Sequence, residues 1–447
     1  MNYAESLKYL FSLGRELAAP TQAAAAKFDL ENISVLAEAL GHPEKKYRSV
    51  HIAGTNGKGS TAAFTESILR AAGIKTGLYT SPHLEKINER IRVKGEEISD
   101  AEFAESFTKI QSLIEELLAQ GKLRAHPTFF EVVTALAFEH FVKAGVEIAV
   151  MEVGLGGRLD ATNILMPEVS VITRVDFDHE NFLGHSLAEI AREKAGIIKS
   201  GVPAIVAEQR TEAREVILRR AAEVGATVFE SERGYVAEQV AFVDGCVRAE
   251  VVNAKSGARF RVAPKLRGRF QLQNAKNAIA IAEMLRARGA GINDAAIEQG
   301  IANAVWPGRI EKLQSEPDVY LDGAHNPSAA RELAAFLSEN FAGRKVTLLF
   351  AAMRDKAVDE IAGILFPLAN EVIFTQAKIS RAISAAQLAD MAGEYAAHFR
   401  VIADAQAALD EALANARADD AIFVTGSLYL VGEVRHYWKV RSRVAAG

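Results

Sequence analysis

The stretch "HIAGTNGKGSTAAF", His51 to Phe64, has the residue types of a phosphate cradle at an unusual spacing. The common pattern G-x-x-x-x-G-K-[ST] would put glycine where Ile52 stands and a hydroxyl directly after Lys58, where Gly59 stands. Anion binding needs something looser: a buried strand, a turn of small residues whose N–H groups converge, and a helix whose positive end faces the ligand. Ser49 to Ala53 reads as the strand, and Gly54, Gly57 and Gly59 free the turn around Thr55 and Asn56. Ser60 is expected to cap a helix that sets Phe64, Ile68 and Ala72 on one face. Lys58 would bring a point charge, and the Ser60 hydroxyl a ligand for magnesium. The alternative is an ordinary glycine-rich turn.

In an open parallel sheet, ligands bind beyond the carboxyl ends of strands, and several polar residues share that address. Glu152 ends "IAVME" and opens "VGLGGRLDATN"; Asp176, Asp178 and His179 follow "VSVITR"; Asp322 and His325 follow "VYLD". A buried Glu152 needs a cation or metal, unless it reaches solvent. His179 reads equally as a ligand or a structural histidine. Oxygen donors dominate this set, which favours magnesium over zinc. Arg158, Asp160 and Asn163 suit either a substrate loop or a turn stapled by an Arg–Asp pair. Lys194, in "EKAGIIK", reads by itself as a solvated lysine. Arg309 reads as a phosphate contact across a cleft or as a surface residue.

These residues must be held by elements, and apolar, β-rich runs alternate with helical-period segments almost throughout, so the expected fold class is α/β with parallel sheets. The best strand candidates are "SVHIAG", "KTGLYT", "VEIAVMEVG", "EVSVITRVD" and "VPAIVAE", then "DVYLD", "KVTLLFAA", "EVIFT" and "AIFVTG". Ser99 to Glu102 is a capping box opening a helix to about Gln120, and Asn326-Pro327 is an N-cap followed by proline. From about Arg233 to Val262 hydrophobics alternate, and "AKSG" reads as a hairpin turn in a small antiparallel appendage on the first sheet. Pro307 and Gly308 mark a linker, so the expected domains are 1–304 and a smaller open sheet of four strong strands over 305–447.

The chain has 447 residues, 49% of them hydrophobic, and a net charge of -5. That fills sizeable cores and offers no basic face for nucleic acid, so small-molecule partners are expected. The opening residues lack the features of a secretory leader, and no run of about eighteen apolar residues suggests a membrane span. Cys246 is the only cysteine, which fits a reducing cytoplasm.

Taken in order, "HIAGTNGKGS", "GLYTSPHL", "INERIRVKGEEIS", "MEVGLGGRLDATN", "DFDHENFLG", "EKAGIIK", "WPGRIE" and "LDGAHNP" resemble folylpolyglutamate synthase and its bifunctional relative, dihydrofolate synthase. Both belong to the superfamily of ATP-dependent amide ligases that includes the muramyl (Mur) ligases. The resemblance covers about residues 28 to 330, and it explains the odd loop, because Lys-Gly-Ser is that family's form. It implies a phosphate-loop ATPase domain and a Rossmann-like C-terminal domain that closes over it. It implies ATP held by Thr55 to Ser60, Asn274, Arg309 and Asp322, and magnesium held by Ser81, Glu152 and His179 with Ser60. Lys194 corresponds to a lysine that is carbamylated, and the substrate acid would meet Phe28, Asp29, Leu30, Thr128, Phe130, Leu159, Asp160 and Ala161. The implied reaction ligates L-glutamate to dihydropteroate or a reduced folate through an acyl phosphate, with Lys58 and Lys194 in catalysis. Apart from the resemblance, His325 is a candidate base for the incoming ammonium group, and a monomer is expected. A muramyl-type ligase is the nearest rival, although only about fifty residues precede the loop, too few for its usual leading domain. A nucleotide-binding switch is the rival from another class, and no N-K-x-D motif supports it.

Overall fold

The computed structural model describes residues 1–13 and 29–446, with side chains to residue 442; Phe28 lies outside the described residues. Among them three sheets form. The largest has eight strands: β1 (Arg48–Ala53), β2 (Thr76–Tyr79), β3 (Ile91–Val93), β4 (Glu96–Glu97), β5 (Ile148–Glu152), β6 (Val169–Ile172), β7 (Ala204–Val206) and β8 (Val228–Glu230). Their order is β4-β3-β2-β5-β1-β6-β7-β8, with β3 antiparallel to both its neighbours and every other pair parallel. Helices cover both faces, which is why the inner strands are continuous apolar runs. On one side helix Lys58–Ala71 packs with helices Gln271–Ala287 and Asp294–Asn303 around Phe64, Ile68 and Ile279. On the other, helices Asp100–Ala119 and Phe129–Lys143 enclose Phe103, Phe107 and Phe138. The Ser99 capping box forms as expected.

Strand β1 lies between β5 and β6 in register, Ile52 facing Glu152 on one side and Val171 on the other. The loops that follow these three parallel strands therefore converge at the carboxyl end of the sheet.

The antiparallel segment is a separate three-stranded sheet of β9 (Tyr235–Val243), β10 (Cys246–Asn253) and β11 (Arg259–Val262). Its buried side chains, Tyr235, Val251 and Phe260 among them, join the core around helix Gln271–Ala287 instead of extending the first sheet.

The third sheet has six strands, in the order β12-β13-β17-β14-β15-β16. They are β12 (Glu311–Gln314), β13 (Asp318–Leu321), β14 (Val346–Phe350), β15 (Glu371–Gln376), β16 (Phe399–Asp404) and β17 (Ala421–Thr425). The four expected strands form its centre; the edges β12 and β16 are additions. Helix Pro327–Asn340, capped by Asn326, covers one face and helix Leu428–Ala446 the other. At the rim between the sheets, Glu85 accepts from Arg435 at 2.5 Å and Lys439 at 2.6 Å, and Arg435 also donates to Glu311 at 3.0 Å. Among the described residues no helix is long and apolar enough to cross a membrane.

Candidate active site

The glycines of the loop are required by their surroundings. Gly54 has φ 149° and a Cβ there would stand 1.9 Å from Thr173 Oγ1; Gly57 has φ 88° and its Cβ would stand 2.5 Å from Asn274 Oδ1. The N–H groups of Thr55 and Asn56 donate to the Arg174 carbonyl at 2.8 and 3.2 Å, which ties the turn to the end of β6. Gly57, not Ser60, is the N-cap, because its left-handed backbone lets the helix begin at Lys58. Thr61 N–H is the first to bond back, to Gly57 O at 2.9 Å, so the amides of Lys58, Gly59 and Ser60 form the positive helix end. Lys58 Nζ folds back on the carbonyls of Gly54 and Thr55, at 3.0 and 3.2 Å.

Beside this loop the electrostatics are unusual. Glu152 ends β5 fully buried, and burial pushes its carboxyl up to about 7 against the pull of Lys58, the Ser81 N–H and Arg309. That N–H lies 3.3 Å from Glu152 Oε2. Lys194 is also buried, donating to Gly54 O at 3.0 Å, and burial pushes its amine down to about 7, helped by the nearby Lys58. It is not the solvated lysine its sequence context suggests. His179, with φ 53°, is pushed down to about 4, chiefly by burial, and its Nδ1 is buried without a hydrogen-bond partner. A neutral imidazole with an orphaned nitrogen, a buried carboxylate and the hydroxyls of Ser60 and Ser81 all line one cavity. This hard, oxygen-rich donor set fits a magnesium ion shared with phosphate oxygens. The ring of His179 nevertheless turns toward Asp178 and Asp355, at 3.8 and 3.9 Å. Among the described residues no three His, Cys, Asp or Glu side chains cluster as a metal site by themselves.

The third sheet contributes the opposite wall. Asp322, at the end of β13, is buried and raised by that burial; its two oxygens accept the amides of Ile310 and Ala324, both at 2.9 Å. It therefore clamps the turn carrying Arg309, whose guanidinium donates to Gly308 O at 3.0 Å. His325 Nδ1 lies 2.7 Å from Gly323 O and its Nε2 3.5 Å from Asp178 Oδ2. Asn274 is buried and donates to Gln271 at 3.0 Å.

Four residues, of which only Lys356 was unmarked in the sequence analysis, join the two sheets: Asn56, Asp178, Asn326 and Lys356. Lys356 Nζ donates to Asp178 Oδ1 at 2.6 Å, and both side chains are buried. Burial would raise the Asp178 carboxyl, but Lys356 and the two histidines hold it well below the usual range. Asn56 and Asn326 exchange side-chain amide bonds at 3.3 and 3.1 Å, and Asn326 also donates to Asp178 at 3.2 Å. Asp178 was visible at a strand end and Asn326 as a helix cap, but no local signal marks Lys356, 178 residues away from its partner.

The same cavity, of about 1280 Å³, is also lined by Asp29, Thr128, Phe130, Leu159, Asp160 and Ala161. Leu30 instead packs against the core. Thr128 caps helix Phe129–Lys143, and Phe130 lies over Gly154, where a Cβ would be 2.5 Å from its ring. Asp160 does not pair with Arg158, which binds Glu193 at 3.0 Å. Its Oδ2 instead accepts from Gly154 and Leu155 at 3.0 and 2.9 Å, pinning the glycine-rich loop.

Comparison with known proteins places this arrangement. Residues 52–282 match the Mur ligase middle domain and residues 308–428 the Mur ligase glutamate ligase domain. Dihydrofolate synthase/folylpolyglutamate synthase of Bacillus subtilis is 38% identical over 408 residues, 89% of this chain and 91% of that one. The chain belongs to the folylpolyglutamate synthase/dihydrofolate synthase family of the Mur ligases. Within that family, Escherichia coli FolC in complex with DHPP and ADP superposes with a TM-score of 0.85 at 32% identity, covering 99% of each chain. The bifunctional folylpolyglutamate synthase/dihydrofolate synthase of Yersinia pestis, complexed with AMPPNP and a Mn ion, gives 0.83 at 32% identity over 98% of each.

Proposed function

We propose that this chain is an ATP-dependent ligase that joins L-glutamate to dihydropteroate, to the γ-carboxylate of a reduced folate, or to both. The observation that carries the proposal is one cavity lined together by the positive helix end at Lys58, by buried Glu152 and Lys194, and by Phe130 and Asp160. A carboxylate cannot be displaced by an amine directly, since oxide is a poor leaving group. Its oxygen attacks the γ-phosphorus of ATP, ADP leaves, and the glutamate nitrogen then attacks the acyl carbon and expels inorganic phosphate.

Phosphoryl transfer needs alignment and charge neutralisation more than covalent help. The amides of Lys58, Gly59 and Ser60 and the Lys58 ammonium, released from its own loop carbonyls, hold the β- and γ-phosphates. A bound divalent cation, held by Ser60, Ser81, Glu152 and His179, would neutralise phosphate charge. Asn274, Arg309 and the turn clamped by Asp322 bound the nucleotide. Units 1–304 and 305–447 close on each other through Asn56–Asn326 and Asp178–Lys356, which keeps water from the acyl phosphate. His325 can take a proton from the incoming ammonium once its Nε2 turns from Asp178.

Incubation with ATP, magnesium and labelled glutamate, with dihydropteroate or tetrahydrofolate, tests the proposal. ADP release is expected only when both glutamate and an acid are present, with label in the folate product. ADP release that ignores glutamate would overturn it.

A further inference from the structure

His51 sits in β1, three residues before Gly54, with no exposed surface and with Met151 and Ser170 as its register partners on either side. Its neighbours in the strand are apolar, and a polar ring there is costly unless its nitrogens are paired. One is paired: Nε2 lies 2.8 Å from Thr162 Oγ1. The Thr162 hydroxyl in turn bonds Asp160 Oδ1. Asp160 also accepts the Thr162 amide at 3.0 Å and the amides of Gly154 and Leu155; burial raises its carboxyl, and these four donors oppose that.

The single hydroxyl proton of Thr162 is directed to this carboxylate, so its oxygen accepts from the imidazole. The ring N–H is therefore on Nε2, and Nδ1 is left buried without a partner. Burial, and secondarily Lys199, pushes the imidazole down to about 3, so the ring is a neutral donor near neutral pH.

We infer that His51 is a positioning residue: through Thr162 and Asp160 it sets the place of the Gly154–Asp160 loop and with it the acid-binding end of the cavity. The loop has little slack. Gly154 packs beneath Phe130, and at Gly157 a Cβ would lie 2.9 and 3.0 Å from the carbonyls of Glu193 and Lys194. A shift of Asp160 must therefore move the floor under Phe130. The phosphate loop has ties that do not pass through this relay: its Thr55 and Asn56 amides bond the Arg174 carbonyl, and Gly54 O accepts from Lys194 Nζ. Loss of the relay is thus expressed at the acid, not at ATP. The inference rests on the ligase reading for the identity of the acid.

The test compares His51→Gln, whose amide nitrogen can take the Nε2 position, with His51→Asn, whose amide reaches only the Nδ1 position, and Thr162→Ser with Thr162→Val. KM for the acid, KM for ATP and the dissociation constant of dihydropteroate by calorimetry are measured for each. His51→Asn and Thr162→Val are expected to raise the KM and dissociation constant of the acid about tenfold, with KM for ATP within about twofold, as loss of a hydrogen bond serving a charged group implies. His51→Gln and Thr162→Ser should recover most of that loss, and His51→Asn combined with Thr162→Val should be no worse than Thr162→Val alone. The offset should be constant from about pH 6 to about pH 9, because the ring does not titrate there. Equal values for Asn and Gln at position 51, or parallel rises in both KM values, would overturn the assignment. If the wild-type protein lacks glutamate-dependent turnover, the ligase reading fails, whereas an active wild type with an unmoved acid constant in His51→Asn defeats the relay alone.

Discussion

Lys194 offers the most demanding prediction. An amine reacts with carbon dioxide only when neutral. With the amine pushed from 10.5 down to about 7, about three-quarters of Lys194 is neutral at about pH 7.5, against about one part in a thousand for an ordinary lysine. Burial therefore raises the reactive fraction by roughly 700-fold. The same depression has a stability signature. The unfolded chain holds the proton up to about 10.5 while the folded chain releases it near 7, so an unmodified Lys194 subtracts on the order of 5 kcal/mol below about pH 7, and this penalty fades as pH rises toward about 10.5. A carbamate replaces the cation with an anion, so this cationic penalty no longer applies, and the proton released on its formation goes to solvent. Labelled bicarbonate should give one carbamate resonance in carbon NMR, absent in Lys194→Met, and Lys194→Ala should lose most activity and regain part with small carboxylates. In bicarbonate-free buffer, Lys194→Met should unfold at higher denaturant than the parent near neutral pH, the gap closing as pH rises. Absence of the carbamate resonance together with full activity of the unmodified lysine would refute the reasoning.

Other expectations follow from neighbouring groups. Lys58→Ala should abolish glutamate-dependent ADP release yet keep the thermal midpoint, because Lys58 bonds only carbonyls of its own loop; normal turnover would contradict the cradle. The carboxyl of Glu152 is raised to about 7 from 4.5, so the stability it contributes is present below about pH 4.5 and lost as pH climbs through about 7. Glu152→Gln should flatten that slope and weaken the magnesium dependence of turnover, both readable by denaturant titration across pH and by metal titration. Gly54→Ala places a methyl 1.9 Å from Thr173 Oγ1 at φ 149° and should cost about 1–3 kcal/mol or more as well as nucleotide affinity; unchanged ADP binding by calorimetry would show that the turn tolerates a side chain.

The central strands were legible because each is an apolar run bounded by turn residues, and the sheets bury them on both faces. The edge strands were not: "EKLQ" of β12 and "FRVIAD" of β16 carry charges and stay partly exposed, so their hydropathy resembles that of loops. Likewise, β3 and β4 are too short and polar to show a period. The phosphate loop could be read from local residues because its chemistry is local, a turn and a helix start. The helix start itself was misplaced from Gly57 to Ser60, since serine has a side chain that caps and glycine only a backbone that bends. Asp178 with Lys356, and His51 with Thr162, depend on contacts between distant segments, which no spacing rule encodes.

The bonds that hold the two sheets together are of different electrical kinds. The exchange between Asn56 and Asn326 involves no net charge, and Asp178 with Lys356 is shielded from solvent, so dissolved ions reach neither well. The Glu85 contacts at the rim include Lys439, which is half in water and open to counterions. Raising ionic strength should then loosen the outer edge of the cleft while its inner seam stays shut, so that the molecule yields like a door slackened at the latch and firm at the hinge.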